Sequence, residues 1–252
     1  MRRPARHTFR ELGLFIVVAM LFSAASAITA ASELPQPFSA RFTVTAMSAE
    51  VAETHWQLKH VAGTAVWSAR TSALGLMALI RNQRIEESTT LALHNQRLRP
   101  RHYAHSRRKG ERNTRTEMTF DWSAGVVRGL AKNQPFEASV TPQALDPLGY
   151  LLVLRNDLSR SNGALRARYS YQIADGNRAK SYTFTVLGDA QLATPLGTFE
   201  VVKLQRRGRK HRVTTLWCAR ALGYLPVRID HTEKDGDIVT ILIQELSGLA
   251  RR

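Results

Sequence analysis

The chain has 252 residues, a formal net charge of +16, 44% hydrophobic residues and a single cysteine. A hydrophobic share of that size excludes a disordered chain, and one cysteine excludes a disulfide framework. So strong a positive charge selects an anionic partner (nucleic acid, lipid headgroups or acidic glycans) or serves solubility alone.

Arg2, Arg3, Arg6 and Arg10 precede an apolar run from Leu12 to Ala27 that ends in Ala25-Ser26-Ala27. A basic start, a short apolar centre and a small-x-small exit form the pattern of a secretory signal peptide. Residues 1–27 are read as that signal, with the mature protein beginning near Ile28, or near Ser32 if Thr29-Ala30-Ala31 is cut instead. Leu12 to Ala31 also reaches the roughly 20 residues that span a bilayer, so retention as an anchor is the alternative. The expected location is the periplasm, where nucleic acid is not a working partner. The leader's four Arg and Glu11 account for +3, which leaves about +13 on residues 28–252, read as one β-rich domain.

After the leader, alternation has the period of strands. Phe38, Ala40, Phe42, Val44 and Ala46 share one face of a first strand, and Ser39, Arg41, Thr43 and Thr45 the other. Strands follow over Val51–His60 and Val66–Ser72, with Ala62-Gly63-Thr64 as the turn between them. Ile85–Leu93, Leu98–Ser106, Arg115–Trp122 and Gly125–Ala131 continue the pattern. Over Asp146–Leu158 the period changes: Leu148, Leu151, Leu152, Leu154 and Leu158 fall at helical spacing behind an Asp cap and Pro147, and Gly149 weakens the signal. Strands resume over Leu165–Ile173, Ser181–Leu187, Gly197–Arg206, Arg212–Ala219, Leu225–His231 and Ile238–Leu246, with hairpin turns at Asp175-Gly176 and Asp235-Gly236. An antiparallel sheet of ten or more strands curls or splits. The expected fold is mainly β, a strongly curved antiparallel sheet or partly open β-barrel with one covering helix.

Motifs for catalysis are missing: there is no G-x-S-x-G elbow, phosphate loop, H-E-x-x-H helix or paired cysteine. The histidines are scattered, and His102 and His105, three apart on a strand, point to opposite faces. Glu86-Glu87 reads as strand surface and Asp146 as a helix cap. Cys218, within Leu216-Trp217-Cys218-Ala219, reads as a buried small hydrophobe. No catalytic residue, metal site or cofactor is assigned, and the protein is expected not to be an enzyme.

The apolar segment Leu74-Gly75-Leu76-Met77-Ala78-Leu79-Ile80 interrupts the alternation and has two readings, core packing or a mobile lip over a cavity. The leading expectation is a non-enzymatic binder of a lipid or other apolar ligand, because the concave face of a curved sheet presents alternating apolar side chains. Phe42, Trp56, Trp67, Leu76, Met77, Phe120, Trp122 and Leu151 are its candidate lining, with Arg81 and Arg84 placed to meet an anionic headgroup at the mouth. Transient contact with a membrane surface is compatible with this. The alternative is a basic interaction protein of cell-envelope or surface-polysaccharide assembly, favoured by a filled core and a contiguous basic face. An enzyme is a third reading and requires His or carboxylate groups converging in a cleft.

Several segments carry a family resemblance: Phe38-Ser39-Ala40-Arg41-Phe42, Leu98-Arg99-Pro100-Arg101-His102-Tyr103, Phe120-Asp121-Trp122 and Leu145-Asp146-Pro147-Leu148. Thr194-Pro195-Leu196-Gly197-Thr198-Phe199, Thr215-Leu216-Trp217 and Leu225-Pro226-Val227-Arg228-Ile229 follow in order. Together they resemble the exported bacterial proteins of domain of unknown function 3108. That resemblance implies an exported β-rich domain with no established activity and no catalytic residues to carry over.

Overall fold

Period-two alternation becomes one continuous sheet. The computed structural model describes residues 34–75, 78, 83–161 and 163–250, all within one compact unit, Ser32–Arg252. The residues read as a signal lie outside the described residues, as do Leu76, Met77, Leu79 and Ile80 of the apolar segment.

The strands are β1 (Phe38–Ala46), β2 (Ala49–Val61), β3 (Thr64–Ala73), β4 (Gln83–His94), β5 (Arg97–Lys109), β6 (Arg112–Asp121), β7 (Val126–Ala131), β8 (Gln134–Ser139), β9 (Arg168–Asp175), β10 (Arg178–Thr194), β11 (Gly197–Arg207), β12 (Val213–Ala219), β13 (Leu225–Thr232) and β14 (Ile238–Ser247). They form a 14-stranded sheet in the order β8-β7-β6-β5-β4-β3-β2-β1-β14-β13-β12-β11-β10-β9. Two meanders are thus joined where the first strand pairs with the last, Phe42 facing Ile243 and Val44 facing Ile241.

A sheet this wide cannot stay flat, because each strand adds its own twist. Its two edges, β8 and β9, do not pair with each other, but they are brought close. Leu145 runs parallel to β9, donating its N–H to the Gln172 carbonyl and accepting from Ala174 N–H, both at 2.8 Å. The β9–β10 turn reaches β7, since a Cβ on Gly176 would stand 2.7 Å from the Ala131 Cβ. The outcome is the curved, partly open barrel expected from the sequence.

The helix α1 (Gly149–Ser159) covers the concave face and buries Tyr150, Leu151, Leu152, Leu154 and Leu158. Tyr150 stacks on Phe184 with ring centres 5.8 Å apart and meets Tyr182 edge-on at 5.2 Å. The helix begins two residues later than its Asp cap suggests. Asp146 Oδ1 accepts the N–H groups of Leu148 (2.9 Å) and Gly149 (2.7 Å), so these residues form a capping turn before the first regular helical turn. Gly149 is required there, because a Cβ would lie 2.5 Å from Asp146 Oδ2 and 3.1 Å from Leu91 Cδ2. Its helix-weakening character is the consequence of a tight cap.

Other elements differ from the sequence reading, among them β5 and β6, which run three residues further toward their shared turn, to Lys109 and from Arg112. β8, an edge strand carrying Pro135, has no strong alternation and was not expected; at an edge a missing amide is tolerated. β10 extends to Thr194, past the predicted end at Leu187, because the register shifts between Val186 and Gly188 and Gly188 takes a φ of 109°. β9 starts at Arg168 and ends at Asp175, later than the predicted Leu165–Ile173. Several hairpins turn on residue pairs with positive φ throughout, Met47-Ser48, Ala62-Gly63, Asn95-Gln96 and Lys132-Asn133, which matches the twist of the flanking strands.

Candidate functional site

The aromatic residues singled out in the sequence form part of the core. Phe42 lies tilted 4.6 Å from Trp56, and Trp56 meets Trp67 edge-on at 5.3 Å, in a chain that continues to Phe38. Phe42, Trp56, Trp67 and Phe120 are buried, as is Leu151 on α1. Phe120 stacks on Trp122 at 5.2 Å, away from the first group, while Trp122 Nε1 donates to the Pro100 carbonyl (2.7 Å) and its ring carries the Arg99 guanidinium at 3.8 Å. Arg84 is exposed and donates from Nε to Glu86 at 3.1 Å. Leu76, Met77 and Arg81 lie outside the described residues.

Glu86 and Glu87 are not both surface. Alternation sends Glu86 outward with Arg70 and Arg84, and Glu87 inward in phase with buried Thr89 and Leu91. Tyr103, opposite Thr89 on β5, donates its hydroxyl to Glu87 Oε1 at 2.6 Å. Thr89 donates to Asp146 Oδ2, also at 2.6 Å, so the start of α1 is latched onto β4. Loss of hydration pushes the Glu87 carboxyl up to about 7, with Asp146 and Asp175 adding repulsion against the lowering effect of the Tyr103 bond. Burial likewise raises Asp146, and it lowers His105, which faces inward beside Arg107 while His102 faces outward to Glu117 at 3.0 Å. The opposite orientation of the two histidines follows the strand period. A carboxyl titrating near neutrality is the kind of group that can shuttle a proton, but the bonds of Glu87 and Asp146 described above run to partners within the fold.

Glu87 sets a pH dependence whose sign is fixed. Its folded value lies above that of an unfolded glutamate, so the folded state holds the proton more tightly, and the associated stability is full below about 4.5 and is lost as pH rises through about 7. Glu87→Gln keeps an acceptor for Tyr103 and removes the charge. Urea denaturation of the two proteins should give similar midpoints at pH 4.5 and a more stable variant at pH 8, by about 1–2 kcal/mol. Parallel pH profiles would show that Glu87 is not desolvated.

The outer face carries a groove of about 640 Å³ across β14, β1, β2, β3 and β4, with Ser39, Gln57, Ser68 and Ser72 among its walls and Arg41, Arg70 and Arg84 beside them. Its charge is balanced: Arg41 is held between Glu53 and Glu245, and Glu86 serves Arg84.

Charge is unbalanced at one end of the sheet. In a meander, successive turns alternate between ends, so the turns that follow odd-numbered strands share one end. That rule gathers Arg107, Arg108, Lys109 and Arg112 around the β5–β6 turn, Lys132 of the β7–β8 turn, Arg178 and Lys180 after β9, and Arg207, Arg209, Lys210 and Arg212 around the β11–β12 loop. Here Arg84 faces Arg108 and Lys109 faces Arg112 in register. The acidic β13–β14 turn neutralises part of this end, Arg212 pairing with Glu233 at 3.0 Å, and Lys180 pairs with Asp175. At the opposite end the turns Ala62-Gly63, Asn95-Gln96, Ser123-Ala124-Gly125 and Pro195-Leu196 contain no charged residue, and the β12–β13 turn carries Arg220, paired with Asp189 at 2.7 Å. Among the described residues no cluster of three or more His, Cys, Asp and Glu could hold a metal ion, and no helix is long and apolar enough to cross a membrane.

Comparison with known proteins places this geometry. The family described as "Protein of unknown function (DUF3108)" matches residues 41–243. No curated protein matches the chain. Among solved structures, the crystal structure of a beta-barrel-like protein of domain of unknown function DUF1849 from Brucella abortus superposes with a TM-score of 0.53 at 10% identity, covering 84% of this chain and 97% of that one. At that identity the likeness is one of fold.

Proposed function

Since the chain belongs to the DUF3108 family, described as of unknown function, we propose from its geometry that it is a non-enzymatic, exported cell-envelope protein that holds an anionic envelope polymer at its basic end. The observation that carries this reading is the like charge kept in register there, Lys109 against Arg112, beside Arg108, whose opposite number Arg84 is itself bonded to Glu86. Like charges directly opposite on paired strands are destabilising. A fold that gathers them at one end, while the one cation in the turns of the other end, Arg220, is paired with Asp189, is arranged for an external anion that relieves the repulsion on binding.

An apolar ligand inside the curved sheet requires a concave face left free of the protein's own side chains. Leu151, Leu152, Leu154 and Leu158 of α1 are buried in the same core cluster as Phe42, Trp56 and Trp67, so the geometry supports the basic surface better than the interior as the place of binding. The reading is tested by titrating residues 28–252 with oligomers of a carboxylated polysaccharide, polygalacturonate, against neutral dextran. Saturable, salt-sensitive binding of the first and none of the second is expected. Equal behaviour toward both would overturn it.

A further inference from the structure

Among the described residues, one half-buried cation beside the core has no anion. Arg155 of α1 donates from Nε to the Gly223 carbonyl (2.8 Å) and from Nη2 to the Leu222 carbonyl (3.2 Å), tying the helix to the 3-10 turn Arg220–Leu222 that precedes β13. Its guanidinium centre stands 5.3 Å from the Phe38 ring centre. The remaining nitrogen, Nη1, is sealed from solvent and meets no acceptor among the described residues. Burial draws the group down to about 10, so it stays charged at neutral pH, and no carboxylate among the described residues contributes to its electrostatic surroundings.

Two carbonyl dipoles are a weak answer to a half-buried full charge, whose loss of hydration is costly unless a counter-charge is near. Beside Arg155 opens a cleft of about 160 Å³, with polar walls from Asn156, Ser159 and Gln36 and apolar walls from Leu152, Leu222 and Leu249. An apolar cavity of about 150 Å³ accepts a molecule the size of benzene. The cleft therefore has room for one carboxylate and the first few carbons attached to it. With Nε and Nη2 serving carbonyls, what Arg155 offers a carboxylate in the cleft is its charge.

We propose that this cleft binds the carboxylate end of an organic acid, with Arg155 as the counter-charge and the three leucines receiving the carbons next to it. The ligand is either a short acid that fits entirely or a longer acyl chain that enters by its head. The site lies at the end of the sheet opposite the basic turns and is independent of the proposed polymer binding.

Residues 28–252, in a buffer free of carboxylates, are titrated by calorimetry with butanoate, octanoate and uncharged octanol. Both acids should bind saturably, at least tenfold more tightly than octanol. A longer chain that binds more tightly than butanoate identifies the acyl source, and equal affinities identify the short acid. Arg155→Gln keeps a donor for the Gly223 carbonyl and lacks the charge; it should weaken both acids at least tenfold, about 1.4 kcal/mol. Ser159→Trp, at an exposed position on the cleft wall, should block binding with the melting temperature unchanged, and it decides the matter if the arginine variant does not fold. Absence of saturable binding to the folded protein, octanol binding as well as octanoate, or affinity indifferent to Ser159→Trp would overturn the proposal.

Discussion

Asp146→Ala is expected to destabilise the folded domain by about 3–4 kcal/mol, measured by urea denaturation at pH 7. The side chain is fully buried and accepts three hydrogen bonds, from Thr89 at 2.6 Å, Leu148 N–H at 2.9 Å and Gly149 N–H at 2.7 Å. Truncation leaves all three donors without an acceptor where water does not replace it, and each unmet buried group costs about 1–3 kcal/mol. The helix that Asp146 starts also covers the concave face, so the effect is transmitted to the fit of Leu152, Leu154 and Leu158. Asp146→Asn retains an acceptor for the two amides and should lose only about 1 kcal/mol. Because burial raises the folded-state value of Asp146, its charged form is the disfavoured one. The wild type should therefore gain on Asp146→Asn as pH falls toward the ordinary carboxylate range. Near-wild-type stability of the alanine variant would show that the latch between β4 and α1 contributes little.

The second large effect is on binding. Replacing Arg108, Arg209 and Lys210 with Glu should weaken polygalacturonate binding by roughly tenfold to several hundredfold at low salt, since each exposed contact is worth up to about 1 kcal/mol and reversal adds repulsion. All three side chains are exposed at the basic end. The loss should shrink as salt rises from about 0.05 M to 0.5 M, because screening already removes most of the wild-type attraction. A deficit that persists at high salt would point to a damaged fold rather than a removed field, and unchanged affinity at low salt would remove these loops from the interface.

Strand character was legible because one face of nearly every strand is buried. Phe38, Ala40, Phe42 and Val44 on β1 are inward residues in both the pattern and the structure. The basic end was not legible, for a reason of parity. Residues 107–112 and 207–212 meet at one end only because an even number of strands and a helix with its returning segment separate them, and the unexpected β8 changes that count. Its Pro135 and mixed alternation hide it. Glu87 was missed on a smaller scale: its phase matches Thr89 and Leu91, but the adjacent Glu86 made the pair read as surface. Its partner Tyr103 becomes visible only once the β4–β5 register is set, and the turn that sets it, Asn95-Gln96, contains no glycine to mark it. The dependence of Gly149 on Asp146 is likewise a matter of distances that no periodicity encodes.

Placement of charge, rather than its total, is the central claim, and two variants of equal net charge test it most directly. One carries Arg108→Glu, Arg209→Glu and Lys210→Glu at the basic end; the other carries Lys59→Glu, Arg97→Glu and Arg101→Glu, exposed positions nearer the opposite end. Both are compared with the unaltered protein by calorimetric titration with polygalacturonate oligomers at one fixed salt concentration. The account predicts at least a tenfold loss for the first and an affinity within about threefold of wild type for the second. Equal losses would contradict it, since the polymer would then be reading net charge and no particular end of the sheet.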